Sequence, residues 1–513
     1  MAAPGEPTLD ELAVLLSALN VTTTPGAAPP GAAPLTPDVS DAADKDDAKA
    51  VHAALATLRH IAAGTLGFAT DVTAGPLPPV PAYHDPVVFA RCLGDTRAVA
   101  AVQFTRKMTS KTTSPPLAEL VAAGVPTDYC RLIHCCSAVP DNRSADMLCF
   151  EAAWALTNIA SGDAECTAAA VQAGALVCFA EMLDRTAAPD CIEQAIWGLG
   201  NIAGDGSQAR DAVLALPHNV LSKLVGIIRL PDVKLAVRRN AIWTISNLCR
   251  GKPPPPAELF FPPNSIAAET ALQCLALEDD EVRADALWGL SYLADIGDVR
   301  VSNGLVQLAA TVAPSELAAL CNNPHVAPSV VVPLIRFIGN LLSSTSDDAT
   351  VVLVAMPGVL SFLIGNMQNP RKAVRAEAFW ALSNVAASAG AAPAQLLPMV
   401  KDLLPAAVAA LQDPDARVRQ EAAWLLANAL DGAMSGHGPD ALLSLYGTVI
   451  PPLLDVYGRD QNPKLQTAVV GALVLAKHLT PERQQQLRAV IPAEIAQRLR
   501  NSQGVELAFL FTA

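Results

Sequence analysis

The chain has 513 residues, of which 51% are hydrophobic and only 4% aromatic, and its formal net charge is −14. A single hydrophobic core usually stops growing near about 250–300 residues, so this length predicts several domains or an array of repeats. The acidic charge argues against sequence-independent binding of DNA or RNA, which depends on Lys and Arg contacts to phosphates. It favours a basic partner instead.

Other features of the composition narrow the class of protein. No uninterrupted apolar run reaches about 18 residues, so no membrane span is expected. The stretch MAAPGEPTLDELAVLLSALN has no basic residue before its apolar run, so no secretory signal is expected. The eleven cysteines are scattered without paired spacing, which is typical of reduced thiols in a cytosolic or nuclear protein. Alternating β-type runs are scarce, so the chain is predicted to be nearly all helical.

Residues 1–90 differ in composition from the rest of the chain. They hold 12 of the 41 prolines and carry ten acidic residues against three basic ones, a net charge of −7. We interpret them as an acidic, Pro/Ala-rich and partly disordered N-terminal region. Two helices are predicted within it, one over 9–19 with Thr8 and Glu11 as a capping box, and one from about 46 to 63.

A Trp followed four residues later by Asn recurs along the rest of the chain. The successive motif pairs are Trp154 and Asn158, Trp197 and Asn201, Trp243 and Asn247, Trp288 and Tyr292, Arg336 and Asn340, Trp380 and Asn384, and Trp424 and Asn428. The first members lie 43, 46, 45, 48, 44 and 44 residues apart. A helical period of this length predicts an armadillo or HEAT solenoid, in which each repeat contacts its neighbours and a long concave surface faces a partner.

Turn signals agree with this period. Breaks such as RLPDVK, MQNPRK and LQDPDA precede the motifs, and Gly-marked turns lie in LVAAGV, VQAGAL and AMPGVL. The first complete repeat is placed near Cys130, and a partial one begins near Arg91, with VQFTRKMTS as its last helix. The solenoid is therefore predicted over 91–500, with capping repeats after Asn428 and a C-terminal tail at 501–513.

The repeated pairing of Trp with Asn indicates a binding surface. On a helix, Glu151, Trp154 and Asn158 share a face that is separate from the apolar core stripe. One such Trp alone would be explained as a core filler, but a buried amide without a partner costs about 1–3 kcal/mol, so a repeated Asn needs another reason. An exposed Asn can bond both the N–H and the C=O of an extended peptide. Trp faces between the amides would hold the stems of Lys or Arg side chains, and carboxylates would receive their charges.

The motifs WALTNIASG, IWGLGNIAGD, AIWTISNLCRGKPPPP, ALWGLSYLADI and FWALSNVAAS closely resemble the armadillo repeats of the importin alpha family over about residues 95–470. The resemblance implies an all-α, right-handed superhelical armadillo-repeat solenoid of about ten repeats. It further implies a nuclear import adaptor that binds basic nuclear localisation signals, shuttles between cytoplasm and nucleus, and uses no cofactor. The implied partners are such cargo proteins, with importin beta and the importin alpha exporter with Ran as further candidates.

The resemblance also implies two peptide sites. The major site comprises Trp154, Asn158, Gly162, Thr167, Trp197, Asn201, Asp205, Trp243, Asn247 and Asp285, with Gly162, Thr167 and Asp205 around the main lysine. The minor site comprises Tyr292, Asp295, Arg336, Asn340, Glu377, Trp380, Asn384, Glu421, Trp424 and Asn428. Arg336 would interrupt the Trp array and separate the two sites, paired with a nearby acid.

Two departures from the family pattern stand out. Ser343 and Ser344 replace the Thr-Gly with which the family usually ends this helix. Family members also begin with an Arg/Lys-rich importin-beta-binding segment, and residues 1–90 contain no such segment.

Three other interpretations were weighed against this one. Zinc could be held by Cys130, His134, Cys135 and Cys136, with Cys149 beyond, but residues 135 and 136 point apart on a helix and no second CxxC pair exists. Enzyme activity is not expected, because the chain has no Gly-rich phosphate loop, GxSxG or HExxH motif. The strongest alternative keeps the fold: an armadillo scaffold or chaperone that holds basic protein tails without transport through importin beta.

Overall fold

The computed structural model describes residues 41–63, 86–137, 139, 142–184, 188–344, 346–388, 393–502 and 507–511. The regular structure of these residues is helical, without a strand, which confirms the predicted fold class. The predicted helix 9–19, with Thr8 and Glu11, lies outside the described residues. The chain divides into two compact units, one ending at Leu248 and the other beginning at Cys249.

The first unit is a succession of short helices. In chain order they are α1 (Asp41–Ala63), α2 (Pro86–Gly94), α3 (Thr96–Thr109), α4 (Leu117–Ala122), α5 (Val125–Ser137), α6 (Arg143–Ile159), α7 (Ala164–Ala173), α8 (Ala175–Met182), α9 (Pro189–Gly204), α10 (Ser207–Leu214), α11 (Val220–Ile228) and α12 (Leu235–Cys249), whose last residue opens the second unit.

The second unit continues the same pattern. Its helices are α13 (Ala267–Gln273), α14 (Asp280–Ala294), α15 (Val299–Val312), α16 (Pro314–Asn322), α17 (Pro328–Ser344), α18 (Asp347–Ala355), α19 (Val359–Asn366), α20 (Lys372–Ala387), α21 (Pro393–Ala410), α22 (Ala416–His437), α23 (Pro439–Arg459), α24 (Pro463–Val474), α25 (Pro481–Val490), α26 (Ala493–Ser502) and α27 (Ala508–Phe511). Short 3-10 turns occupy Ala257–Phe260, Cys274–Ala276 and Leu475–His478.

The helices that carry the motif pairs form a continuous row within each unit, and we call them motif helices. In the first unit α3 packs on α6 and α6 on α9, and Asn247 of α12 bonds back to α9. In the second unit α14, α17, α20, α22 and α24 pack in that order, the last as a terminal helix without a motif pair. Within each unit, neighbouring helices of this row therefore touch each other, as a solenoid requires.

The turn signals lie where the repeat predicts them. Gly124, Gly174 and Gly358 adopt positive φ angles of 84°, 102° and 86°, a conformation that L side chains rarely adopt. Asp163 and Asp415 follow turns and cap the next helix, because their carboxylates accept main-chain N–H groups of its first turn. The local chemistry thus ends one helix and starts the next.

The packed structure begins before residue 91, where the solenoid is predicted to start. Helix α1 matches the predicted end at residue 63 but begins five residues earlier than expected. Its residues Leu55 and Leu58 are buried, and it packs against α2 and α3. Arg59 is buried too, and its Nη2 lies 2.6 Å from the Asp128 carboxylate. A buried charge needs such a partner, so this basic residue of the acidic region is structural.

The sequence predicts no membrane span, but the length and composition of the helices alone do not confirm this prediction. Among the described helices, α23 is long and apolar enough to cross a membrane, and so are α15 with α16 and α18 with α19 if each bent pair is one span. The expectation rested on uninterrupted apolar runs, which α23 lacks. Half of its most apolar window is buried inside the protein, and it packs against α22 and α24. The apolar face of α23 therefore contributes to the helical stack.

The C-terminal residues also pack further than expected. Leu507 and Leu510, within the predicted tail, are buried, and α27 contacts α25. Arg500 lies over the Phe511 ring, 4.9 Å from its centroid. These contacts extend the packed structure of the second unit to Phe511.

At two places a glycine of one motif helix lies beneath a Trp of the next. A Cβ at Gly200 would lie 2.3 Å from Cζ3 of Trp243, and a Cβ at Gly339 would lie 2.3 Å from Cζ3 of Trp380. Both distances are far below van der Waals contact. The indole rings are therefore supported from below by bare main chain, and their position depends on glycine.

We expect Gly200→Ala to lower the free energy of unfolding by about 1–3 kcal/mol, because the new methyl group must displace Trp243. The matched control is Gly226→Ala in α11, where a Cβ would meet nothing within 4 Å. That change should instead raise stability by about 0.5–1 kcal/mol, since Ala is the better helix former. Thermal unfolding of both variants measures the difference, and equal effects of the two substitutions would contradict the proposed role of Gly200.

Candidate peptide-binding groove

The motif asparagines join neighbouring repeats. In the first unit, Nδ2 of Asn201 donates to the Thr157 carbonyl at 3.0 Å, and Nδ2 of Asn247 donates to the Gly200 carbonyl at 3.1 Å. Each acceptor is the residue immediately before the Asn place of the preceding motif helix. The amide of one repeat thus binds the main chain near the C-terminal end of the previous motif helix.

The second unit repeats this bond three times. The donor and acceptor pairs are Asn340 with Ser291 at 2.9 Å, Asn384 with Gly339 at 3.1 Å, and Asn428 with Ser383 at 3.0 Å. The spacing of the acceptors is the same as in the first unit, although Tyr292 takes the Asn place after Ser291.

This bond changes the interpretation of the Asn row. The sequence predicts exposed amides that are all available to a peptide, but Asn247 and Asn340 are each only 6% exposed. The other motif asparagines are half-buried. An Asn amide has two N–H donors and a carbonyl oxygen, so one donor serves the fold while the second donor and Oδ1 can serve a ligand. The repetition of Asn therefore has a structural cause as well as a proposed binding role.

Asn158 of α6 makes an equivalent contact with the preceding helix, α3, although its acceptors are side-chain hydroxyls. Its Nδ2 donates to Oγ1 of Thr109 at 3.0 Å and to Oγ of Ser110 at 2.9 Å. By the register of the other asparagines, Ser110 occupies the Asn place of α3 and Arg106 occupies the Trp place. The sequence shows both residues in VQFTRKMTS, but without the period of a full preceding repeat their register was missed.

The motif tryptophans each keep part of their surface exposed. Trp154, Trp197 and Trp243 in the first unit are half-buried, as are Trp380 and Trp424 in the second. A half-buried indole presents one region to its own core and another to solvent or a ligand. The arrangement suits the stem of a long basic side chain, which gains contact area along such a ring.

The residues assigned to the main lysine differ in accessibility. Asp205 is the residue directly after α9. It is exposed and has no ion-pair partner among the described residues. Gly162 is half-buried, and a Cβ there would lie 2.9 Å from Leu117. Thr167 is only 2% exposed and its hydroxyl donates to the Ala160 carbonyl, so the Thr167 side chain has little surface to offer a ligand. Asp205 is the accessible charge of this group.

Asp285 lies in the second unit, apart from the other residues assigned to the major site, which all belong to the first. Burial raises its pKa to about 7, with a smaller contribution from the charge of Glu281. Near it, Trp288 stacks on Tyr292 with 5.8 Å between ring centroids. Burial also raises the pKa of Tyr292, which Arg250 partly offsets. At neutral pH the Asp285 carboxyl group is thus partly protonated.

The raised pKa predicts a pH-dependent effect of Asp285→Asn. The folded state holds a proton on Asp285 that the unfolded chain loses near pH 4, so this group stabilises the fold at low pH and the contribution is lost as pH rises through about 7. Asp285→Asn should therefore raise the free energy of unfolding at pH 8.5 by up to about 4 kcal/mol and change it much less at pH 5. The melting temperature at each pH measures the difference. The exposed Asp402→Asn in α21 is the control. An equal shift at both pH values would contradict the assignment.

Two of the three acids assigned to the minor site, Asp295 and Glu377, already have cationic partners. Nζ of Lys252 lies 2.8 Å from Asp295. Glu377 is 5% exposed, with Nη2 of Arg417 at 2.6 Å and Nη1 of Arg336 at 3.5 Å, the latter an ion pair without a hydrogen bond. A basic ligand would have to compete with these side chains for the same carboxylates.

Glu421 has a weaker set of neighbours. Its Oε1 accepts a hydrogen bond from Gln420 at 2.8 Å. Burial raises the pKa of Glu421, and the Arg417 charge acts in the opposite direction. A cavity of about 470 Å³ opens beside it, lined by Arg336, Trp380, Ala416, Arg417, Gln420, Glu421, Asn462 and Lys464. Cationic side chains outnumber the carboxylate on this wall.

Arg336 stands in the Trp place of α17 and covers the next Trp. Its guanidinium carbon lies 5.2 Å from the centroid of Trp380. Ser343 and Ser344 follow at the end of α17, where the Ser343 hydroxyl donates to the Asn340 carbonyl and lies 3.3 Å from the Ser344 hydroxyl. The hydroxyl of Ser343 thus bonds to the main chain of its own helix.

The residues considered for zinc are placed differently from a metal site. Cys130, Cys135, Cys136 and Cys149 are buried, as are the other seven cysteines. His134 is exposed, with Nδ1 2.9 Å from the Glu181 carboxylate. In the part of the chain that the structure describes, no group of three or more His, Cys, Asp or Glu side chains could hold a metal ion.

The fold and the repeated motif row define an armadillo-type repeat protein. Family models match an Armadillo/beta-catenin-like repeat at residues 163–204 and a HEAT-like repeat at residues 385–429. An engineered protein of known crystal structure has the same fold, with a TM-score of 0.66 and 21% identity over 82% of this chain and 98% of that one.

Curated relatives narrow the class further. Importin subunit alpha-1b of Oryza sativa subsp. japonica is 37% identical over 286 residues, which cover 55% of this chain and 48% of that protein. Importin subunit alpha-3 of Arabidopsis thaliana is 36% identical over 284 residues, 55% of this chain and 49% of that protein. Over these residues the chain is similar to importin alpha subunits, which confirms the resemblance. The chain spans about half the length of these relatives.

Proposed function

We propose that the chain is a nuclear import adaptor that binds Lys/Arg-rich nuclear localisation signals as extended peptides. The observation that carries this proposal is the register of the first unit, where half-buried Trp rings alternate with Asn amides next to Asp205, an exposed carboxylate that has no ion-pair partner among the described residues. The relatives are named as importin subunits, which supports the transport role and a shuttling location in cytoplasm and nucleus. No catalytic step is part of the proposal.

The geometry suggests how such a peptide would bind. Asn201 retains a second N–H donor and Oδ1, and Asn158 retains Oδ1, which would bond the peptide main chain whatever its side chains are. Lys stems would pack on Trp154, Trp197 and Trp243, with about 0.5–2 kcal/mol of cation–π attraction each. Asp205 would pair with the main lysine. The main chain would then supply affinity and the basic side chains would supply selectivity.

We propose the first unit as the principal site and the second as a weaker one. In the first unit Asp205 is exposed and has no ion-pair partner in the part of the chain that the structure describes. In the second, Asp295 pairs with Lys252 and Glu377 pairs with Arg417. A basic peptide would have to displace these cations, so its net gain in the second unit is smaller.

The alternative is an armadillo scaffold or chaperone for basic tails that does not pass through importin beta. The two functions share the groove and differ in their other partners. Affinity capture from cell extract, followed by addition of Ran loaded with GTP, separates them. An adaptor should retain importin beta and release it with Ran, whereas a scaffold should retain basic proteins only.

We expect Asp205→Lys to weaken binding of a KKxK-type peptide by about 2–5 kcal/mol, because it sets like charges against each other at the main lysine. The matched control is Asp232→Lys, the same charge change at an exposed position in the turn before α12. Fluorescence anisotropy with a labelled peptide measures both. Equal affinities of the two variants would show that Asp205 does not receive the lysine.

We also expect the acidic N-terminal residues not to compete with cargo. Residues 1–40 contain four acidic residues and neither Lys nor Arg, so they lack groups for the lysine slots. Deletion should end at residue 40, because α1 is packed through Leu55, Leu58 and Arg59. Calorimetry should find peptide affinities of the full and shortened chains within about threefold, or ~0.6 kcal/mol. A tenfold or larger gain on deletion would reveal an autoinhibitory segment.

A further inference from the structure

Helix α3 begins the row of motif helices in the first unit. It carries an arginine at the place where the following three helices carry tryptophan. The bonds from Asn158 to Thr109 and Ser110 place Ser110 in the Asn position of α3, and Arg106 lies four residues before it. In the helices α6, α9 and α12 the same place holds Trp154, Trp197 and Trp243.

The Arg106 side chain lies in front of the first tryptophan. Its guanidinium carbon is 4.4 Å from the centroid of Trp154, close enough for a cation–π contact. Its Nε donates to the Glu151 carboxylate at 2.8 Å, and Gln103 donates to the other oxygen of Glu151 at 3.2 Å. The arginine and glutamate side chains are 15% and 10% exposed. Arg106 thus makes the two contacts that a bound basic side chain would make: one with an indole ring and one with a carboxylate.

The second unit contains the same arrangement independently. Arg336 stands in the Trp place of α17, covers Trp380 of the next motif helix and pairs with Glu377, three residues before that Trp. Glu151 also lies three residues before its Trp. Two separate occurrences of one geometry indicate that it is a property of an Arg in the Trp place.

We propose that Arg106 sets the end of the row of basic-side-chain slots in the first unit, and so acts as a specificity-determining residue. It fills the slot on the side of Trp154 that faces α3 and leaves the side toward α9 for cargo. The slots for basic side chains of a bound peptide then begin at Trp154 and continue toward α9. A further basic residue on the α3 side would meet the Trp154 ring and the Glu151 carboxylate already occupied by Arg106. This inference rests on the proposed binding of basic peptides in the first unit.

The test compares peptides that differ by one basic residue. A labelled KKxK peptide with alanine flanks is measured against two extended forms, each with one additional Lys placed two residues beyond one end. In the wild-type chain, either extension should improve affinity by less than about twofold at physiological salt. In Arg106→Ala, which frees the Trp154 face and the Glu151 carboxylate, one of the two extensions should improve it by about fivefold or more.

Two control variants and the choice of readout separate this role from a structural one. Lys107→Ala removes the neighbouring exposed charge of α3 and should behave as wild type. Arg106→Ala with Glu151→Gln opens the ring without the carboxylate, avoids a buried unpaired acid, and should show a smaller gain than the single variant. Loss of packing alone would change the affinity for short and extended peptides in the same proportion, so the ratio of the two affinities is the readout.

The outcomes are distinct. Normal binding of the short peptide by both chains, with no extension favoured by Arg106→Ala or by the double variant, overturns the role of Arg106 and leaves the proposed function intact. A wild-type chain that does not bind the short peptide overturns both. A gain from an extension in Arg106→Ala, reduced in the double variant, supports the inference.

Discussion

The hydrogen bond from an Asn amide to a main-chain carbonyl of the preceding motif helix is the interaction on which both units depend. It recurs from Asn201 to Thr157 and from Asn428 to Ser383, with intermediate members between. A buried carbonyl or amide left without a partner costs about 1–3 kcal/mol, so each bond penalises any slip of one helix along the next. The same register places the Trp rings at regular intervals along each row.

The two units differ less in the residue types that they contain than in whether their acidic side chains already have ion-pair partners. Both contain Trp and Asn at equivalent places, yet Asp205 is exposed without an ion-pair partner among the described residues, whereas Asp295 is paired with Lys252 and Glu377 with Arg417. An acid that has an internal cation contributes less to a basic ligand than a solvated acid that lies next to the groove. The distinction could not be drawn from the motif alone, because the motif records which residues are present and not which of them are engaged.

The local part of the fold was predictable from the sequence. The period and the glycine turns are local signals, and the structure has them where they were expected. The packing of α1 was missed because Leu55, Leu58 and Arg59 are explained only by helices far along the chain. Pairs such as Lys252 with Asp295 are separated by 43 residues and depend on how one repeat lies on another. For the candidate site, the Trp and Asn positions came from the register and residues such as Thr167 from the resemblance, whereas the burial of Thr167 and Asn247 followed from neither.

The burial of all eleven cysteines has a practical consequence for chemical labelling. Burial raises the pKa of Cys92 to about 12 and that of Cys166 to about 11, so their thiolate forms are scarce at neutral pH. The thiolate is the nucleophile that attacks an alkylating reagent, so such side chains react slowly with these reagents. A cysteine introduced at one exposed surface position would therefore react first in an otherwise unmodified background. The native chain thus offers single-site attachment of dyes or spin labels without prior removal of its own thiols.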